Sequence, residues 1–335
     1  MRFATAPLLV LPILIAGCGG AAAGEAEPAT PATQATAAPT TETPGEAPPS
    51  AIAAGQDDEL AGAQGRTEEF SDARSLDALG KRLTADGLSG VGRLDLAARA
   101  LGPGLGKLLG GSKALKGLGA LDVSDNDLGP EGVRALVQSK HLGELRQLDL
   151  GGNDIADTGV GTLAKGTALP AVKVLNLSGN AIGPGGARAL AGSPLLAQIA
   201  SLDLSMNPIG PDGTKALAGS RHTGKLRSLF LLGCEIGSAG ATALSRSGSL
   251  GSLKVLALSG NGIGDAGVKT LADSPLLENI ETLDLSANGI GDAGAKALAD
   301  SKRLGSLRAL EIFGNEFGSA GVAALKKRFG SALRL

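Results

Sequence analysis

LKVLALSGNGIGDAGVKTLADS, residues 253–274, changes its hydrophobic period halfway along. Leu256 and Leu258 stand on either side of Ala257, the alternation of a short strand whose two faces differ. Past Asn261 and Gly264, the residues Val268, Leu271 and Ala272 fall on one face at helical spacing. The segment reads as strand, turn and helix, with a return loop to follow. The same wording recurs in LRQLDLGGNDIA (145–156), VKVLNLSGNAIG (172–183), LRSLFLLGCEIG (226–237) and IETLDLSANGIG (280–291).

The recurrence has a fixed step. Asn126, Asn153, Asn180, Asn207, Cys234, Asn261, Asn288 and Asn315 lie 27 residues apart, and one further step back reaches Arg99 in the weaker segment VGRLDLAARAL. About nine units result. Each carries apolar residues eight, five and three positions before the marked residue and two after it, as Leu145, Leu148, Leu150 and Ile155 do around Asn153. Three positions after the Asn stands a glycine (Gly129, Gly183, Gly210, Gly237, Gly264, Gly291, Gly318), where the chain leaves the strand. Ala156 in the same place implies that a positive φ is not obligatory there. A second glycine, six after the Asn from Gly132 to Gly321, is expected to let each helix approach the sheet closely. Ser139, Ser193, Ser220, Ser247, Ser274 and Ser301 share one position near the helix end, which suits residues that satisfy terminal backbone groups.

Composition agrees with a small unit copied many times: 335 residues contain 53 Gly and neither Trp nor Tyr. The formal net charge of -2 is unevenly placed. Residues 19–65 hold seven acids and no Lys or Arg, whereas the residues from Arg66 onward hold 30 basic and 26 acidic groups. The repeat region is therefore mildly basic and the segment before it acidic. That segment is rich in Ala, Pro, Thr and Glu and too poor in large apolar residues to bury a core, so it reads as a tether.

The opening MRFATAPLLVLPILIAGCGG has a single positive charge, an apolar run from Leu8 to Ile15 and then small residues, the pattern of a secretory signal. Its Ile15-Ala16-Gly17-Cys18 resembles the lipobox of bacterial lipoproteins. The resemblance implies cleavage before Cys18 and acylation of its sulfur, which would anchor the chain to a membrane. The expected localisation is the bacterial cell envelope, leaning to the outer membrane because Gly19 follows the Cys instead of Asp.

The pattern LxxLxLxxN, followed by Ile or Leu and a Gly-led helix, is similar to the leucine-rich repeat family, nearest its ribonuclease-inhibitor-like subclass. The resemblance covers residues 88–335. It implies an α/β solenoid of horseshoe form, with a parallel sheet on the concave face and helices on the convex face. The expected organisation is a signal peptide at 1–17, a lipidated Cys and disordered linker at 18–66, and a repeat domain at 67–335 whose cap, 67–88, contains the helix SLDALGKRL. The basic stretch LKKRFGSALRL is expected to close the array and keep its end soluble. Within the family the Asn position holds a buried side chain that satisfies backbone groups at the strand-to-turn corner. Cys234 reads as a structural substitute there, a weak donor that packs as a small apolar residue.

The strand residues that point away from the helices are Asp95, Asp122, Asp149, Asn176, Asp203, Phe230, Ala257, Asp284 and Glu311. Neighbouring strands are about 4.8 Å apart, so this acidic row is expected to repel itself unless cations or a basic partner sit against it. A plainer reading has the acids bonded to nearby serines such as Ser124, Ser178, Ser205 and Ser286, or paired with Arg146, Lys173, Arg227, Lys254 and Arg308 beside them. Phe230 and Leu232, with Met206 and Ala257, interrupt the row as an apolar island with the composition of a binding hot spot. The candidate ligand-binding residues are thus Asp122, Asp149, Asp203, Met206, Phe230, Leu232 and Asp284.

No constellation for catalysis or metal binding appears. His141 and His222 occupy one repeat position three units apart and cannot share a metal, and no P-loop or dinucleotide fingerprint is present. Without Trp or Tyr there is no nucleic-acid stacking platform. The expectation is a monomeric, non-enzymatic module without cofactor that binds a protein or peptide, possibly a basic one. The alternatives are an inhibitor of a secreted or envelope enzyme, and a structural spacer.

Overall fold

A strand of three residues cannot hold a sheet by itself, so each unit depends on the units on either side. The structure is a computed structural model that describes residues 65–69, 75–83, 88, 90–166 and 169–335. The signal segment, Cys18 and the acidic stretch up to Gln64 lie outside the described residues. Eleven strands form one parallel sheet in sequence order: β1 (Arg66–Glu69), β2 (Val91–Asp95), β3 (Ala120–Asp122), β4 (Gln147–Asp149), β5 (Val174–Asn176), β6 (Ser201–Asp203), β7 (Ser228–Phe230), β8 (Val255–Ala257), β9 (Thr282–Asp284), β10 (Ala309–Glu311) and β11 (Leu333–Arg334). Equivalent residues pair without slippage from β2 to β10, Leu121 with Leu148 and Asp122 with Asp149 for example.

Among the described residues ten helices alternate with the strands. They are α1 (Leu76–Arg82), α2 (Pro103–Gly111), α3 (Gly129–Val137), α4 (Ala156–Lys165), α5 (Pro184–Ala191), α6 (Gly210–Ala218), α7 (Gly237–Ser245), α8 (Gly264–Ala272), α9 (Asp292–Asp300) and α10 (Ser319–Phe329). The repeated Leu and Ile positions form one apolar core that runs unbroken from Leu79 to Phe329. The protein is a leucine-rich repeat solenoid of α/β class. Its cap differs from expectation in one respect: the helix is present as α1, but a strand precedes it. By pairing with β2, β1 occupies an edge that would otherwise leave backbone groups unpaired.

The seven recurring asparagines make the corner of each unit. Asn153 is fully buried. Its Nδ2 donates to the carbonyls of Val123 (2.9 Å), Leu150 (3.0 Å) and Gly151 (2.9 Å), and its Oδ1 accepts from the N–H groups of Asn126 (3.1 Å) and Leu128 (3.2 Å). One amide therefore satisfies five backbone groups in two units, and the next unit repeats the arrangement through Asn180. Cys234 supplies only part of this. Its Sγ donates weakly towards Leu204 O at 3.2 Å, and the N–H of Ile209 turns instead to the carbonyl of Asn207 at 2.7 Å. The thiol is fully buried and burial pushes its pKa up to about 12, so it stays protonated and inert.

The structure refines both glycine expectations. A methyl group on Gly159 would sit 2.2 Å from Ile155 Cγ2 and 3.3 Å from Pro130 Cα of α3, and one on Gly267 would sit 3.1 Å from Ala241 Cβ of α7. The glycine six after the Asn thus makes room first for the corner Ile of its own unit and then for the neighbouring helix. At the position three after the Asn, Ala156 itself has a positive φ of 54°, as do Gly129, Gly210, Gly237 and Gly264. Gly183, Gly291 and Gly318 instead have negative φ values of -92, -93 and -85°. The residue four after the preceding unit's Asn decides between the two. Where it is Asp157, Asp265 or Asp292, its carboxylate accepts the glycine N–H at 2.7, 2.7 and 2.9 Å. Where it is Pro or Ser, the N–H reaches the next unit's Asn-position carbonyl in the left-handed conformation, as Ala156 N does to Asn180 O at 2.9 Å.

The serines satisfy helix ends, but those of the neighbouring unit. Ser193 Oγ donates to Ala164 O in α4 at 2.6 Å and accepts from Leu195 N at 3.1 Å, and Ser220, Ser247, Ser274 and Ser301 repeat the donation one unit at a time.

Asn153→Ala would leave the buried N–H groups of Asn126 and Leu128 without an acceptor and take one of two donors from the carbonyls of Val123, Leu150 and Gly151, and it is expected to cost about 3 kcal/mol in urea unfolding. Cys234→Asn restores acceptors for Asn207 and Ile209, and the same measurement should show a gain of about 1 kcal/mol. Ala156→Gly removes the strain of a left-handed alanine and should stabilise by up to about 1 kcal/mol, whereas destabilisation would contradict the conformational reading.

Candidate functional site

The residues between the core leucines of each strand face away from the helices. Asp149 lies between the buried Leu148 and Leu150, and the pairing of Asp95, Asp122, Asp149, Asn176 and Asp203 strand by strand assembles the expected row. Each of these side chains also performs a local task. The Oδ1 atoms of Asp95, Asp122, Asp149, Asn176, Asp203 and Asp284 accept the N–H two residues on, at 3.0, 3.0, 2.9, 2.9, 2.8 and 2.8 Å. This Asx hook closes the backbone where the chain leaves the strand. The expected serine contact is present as Ser124 Oγ to Asp122 at 2.7 Å, but the backbone N–H is the recurrent partner.

Interactions along the row are unequal. Asn176 Nδ2 donates to Asp149 Oδ2 at 3.0 Å, so the one amide of the row bridges to its acidic neighbour. Arg93 approaches Asp122 at 3.9 Å. Two of the basic residues expected to neutralise the acids turn elsewhere: Lys254 and Arg308 both pair with Glu281, at 3.3 and 3.2 Å. Burial, then the charge of Asp122, then more weakly that of Asp203, raise the Asp149 carboxyl from 3.8 to about 6, against the Gly151 N–H and the Asn176 amide that favour its charged form. Burial raises Asp203 and Asp284 in the same direction, opposed by hydrogen bonds from Ser205 and Ser286.

The apolar island is not the exposed anchor that the sequence suggested. Phe230 is only 2% exposed. It packs with Val255, Ala257 and the partly buried Leu232 in a cluster separate from the main core, so it belongs to the other face yet stays shielded. Asp284, also expected to be open, is buried at 3% exposure. Met206 does project, at 57% exposure, but from the turn after β6, where its sulfur lies against Gly233. Phe230 also breaks the series of hooks: lacking an Asp oxygen, the N–H of Leu232 takes Ser205 Oγ of the preceding unit at 3.3 Å. The hooks were missed in the sequence, although Asp or Asn at a strand end, two residues before a donor, is the signal that marks them. Among the described residues no helix is long and apolar enough to cross a membrane.

A family model described as Leucine Rich repeat matches residues 118–137, 145–164, 170–191, 200–218, 252–272, 277–299 and 306–326. The matched stretches pass over the units of Arg99 and Cys234, the two that depart from Asn at the corner. No curated protein matches the chain. Among solved structures the chain is similar to one described as the Rad7 and Elc1 complex in yeast, with 13% identity and a TM-score of 0.53 over 78% of this chain. It spans 66% of that chain's length. At this identity the likeness is one of fold.

The raised Asp149 pKa has a signed consequence. Its folded carboxyl holds a proton more tightly than the unfolded one, so its contribution to stability is complete below about pH 4 and is lost as the pH climbs towards 6. Urea unfolding should show that loss as on the order of 1–3 kcal/mol, and Asp149→Asn should reduce it by about that amount. Identical pH profiles for the two proteins would contradict the placement of Asp149.

Proposed function

The chain is built from leucine-rich repeats, and from that premise we propose that it is an envelope-anchored lipoprotein that binds another protein on the helix-free face of its sheet. The observation that supports this reading is the held row of carboxylates. Asp122, Asp149 and Asp203 are fixed in register by their backbone hooks, and the Asn176 amide and Arg93 offset only part of the repulsion along the row. A partner that offers Lys or Arg gains charge-assisted bonds without having to order these acids first. Met206 adds an exposed apolar contact at the border of the acidic stretch, while buried Phe230 stiffens the face beside it. Attachment is through acylated Cys18, with the acidic segment as spacer.

The Asx hooks also favour a second reading, in which the acids serve the fold alone and the protein is a spacer in the envelope. One set of substitutions separates the two. Asp122→Asn, Asp149→Asn and Asp203→Asn together keep every hook acceptor and remove three charges. Crosslinking in intact cells should then capture the partner at least about tenfold less, as expected for the loss of charge-assisted contacts. Undiminished capture by a folded triple variant would leave the spacer reading standing. Anchoring is tested independently, since Cys18→Ser should abolish labelling by a radioactive fatty acid and release the protein from the membrane fraction.

A further inference from the structure

The N-terminal edge of the strands carries a second row, of opposite charge. Arg146 and Lys173 stand one residue before β4 and β5, and Lys254 one residue before β8. Lys173, Lys225 and Lys254 line one cleft of about 520 Å³ there, and among the described residues no acid lines it. Arg146, Lys173 and Lys225 are exposed and enter no ion pair among the described residues, whereas Lys254 pairs with Glu281 at 3.3 Å. Of the acids, Glu144 lies two residues before Arg146 and Glu281 lies beyond Lys254, so the stretch from β4 to β8 keeps an excess of positive charge.

The chain supplies its own complement at the same edge. β1 opens at Arg66, in register with Val91, two residues before Arg93 meets Ala120 and Ala120 meets Gln147. The chain therefore enters the sheet from the side on which the cations stand. Shortly before that point comes Asp57-Asp58-Glu59, with no Lys or Arg between it and Arg66. Glu59 precedes Arg66 by seven residues and Asp57 by nine, which extended reach about 24 and 31 Å. β5 and β7 lie four and six strand steps from β1, about 19 and 29 Å. The run is thus long enough to bring its carboxylates to Lys173 and Lys225. Because side chains on both partners adjust, it asks for no fixed spacing of the cations. Single exposed pairs of this kind are weak. Attachment at Arg66 offsets this, since the encounter is intramolecular, at an effective concentration of about millimolar. We propose that Asp57-Asp58-Glu59 docks on the basic edge from β4 to β8, so that the tether is held along the sheet and is let out when salt or an anionic competitor displaces it. The docking is separate from the acidic face and needs neither that face nor the lipid anchor.

Zero-length carbodiimide crosslinking of the full chain, which joins a carboxylate to a lysine amine in contact with it, tests the proposal. Peptide mapping should find residues 57–59 linked chiefly to Lys173, Lys225 or Lys254. The yield should not depend on protein concentration and should fall at least about threefold from about 0.02 M to about 0.5 M salt. Links spread evenly over Lys269, Lys296 and Lys326 on the helices, links found only between two chains, or no links at all would each overturn it. A glutamate-specific protease supplies a second readout that needs no lysine chemistry. Arg146→Gln with Lys173→Gln and Lys225→Gln should speed cleavage after Glu59 at least about threefold by undocking the run. Lys269→Gln with Lys326→Gln and Lys327→Gln removes as many charges from α8 and α10 and should leave that rate unchanged, while thermal melts confirm that both variants fold. Equal rates in the native chain and the first triple variant contradict the docking.

Discussion

Backbone satisfaction at the strand-to-turn corner is the constraint on which the structure rests. A strand of three residues followed at once by a turn strands donors and acceptors in the interior, where each unmet group is costly. One primary amide has two N–H donors and an oxygen with two lone pairs, and with bifurcation it serves the five groups present there. This use of the amide ties each 27-residue unit to its neighbour. Asn153 binds the backbone of its own unit and of the one before it, so every corner is completed by its successor. A unit removed from the array would lack those partners, which is why stability in such a chain belongs to neighbouring pairs more than to single repeats.

The same logic recurs away from the corner. Ser193 closes the helix of the preceding unit, and Asp157 caps the helix that follows it, donating nothing and accepting the Gly183 N–H. Polar side chains in this protein therefore work mostly on the backbone, at a reach of one repeat. That affects how charge is read. An aspartate in the strand row is a carboxylate exposed to a partner and also an acceptor that closes a turn, and the geometry fixes the second task whether or not the first is used.

Much of the fold was evident in the sequence because the step of the repeat and the change of period within it are both visible in residue spacing. The strands, the helices, the buried corner position and the structural character of Cys234 needed no more than that. The misreadings share a cause, since each concerned contact and not pattern. Ala156 was read as showing that a positive φ is not obligatory at its position, which holds at Gly183, Gly291 and Gly318 but not at Ala156 itself, because the conformation there depends on whether the preceding unit offers Asp or Pro 26 residues earlier. The glycine six after the corner was assigned to helix and sheet, although the crowding comes from the corner Ile of its own unit and from the adjacent helix. Phe230 was placed on the correct side of the sheet and given the wrong exposure, because alternation determines which face a residue takes but not what lies beside it.

The two charge rows also bear on orientation. On β4 and β5 the acids Asp149 and the amide Asn176 sit at the strand ends, while Arg146 and Lys173 sit three residues earlier at the opposite edge, about 10 Å away along the strand. Lys254 and Arg308 pair with Glu281 inside the basic row, while in the acidic row Arg93 approaches Asp122 and Asn176 bonds to Asp149. Opposite charges held apart in this way give the strand direction an electrical sense. A partner with its own charge asymmetry would be turned before contact, an effect on association rate that salt screens over about 10 Å. Because the repeat fixes both rows at once, a change of register by a single residue would disturb orientation and core together, and the sheet has no looser way to vary one without the other.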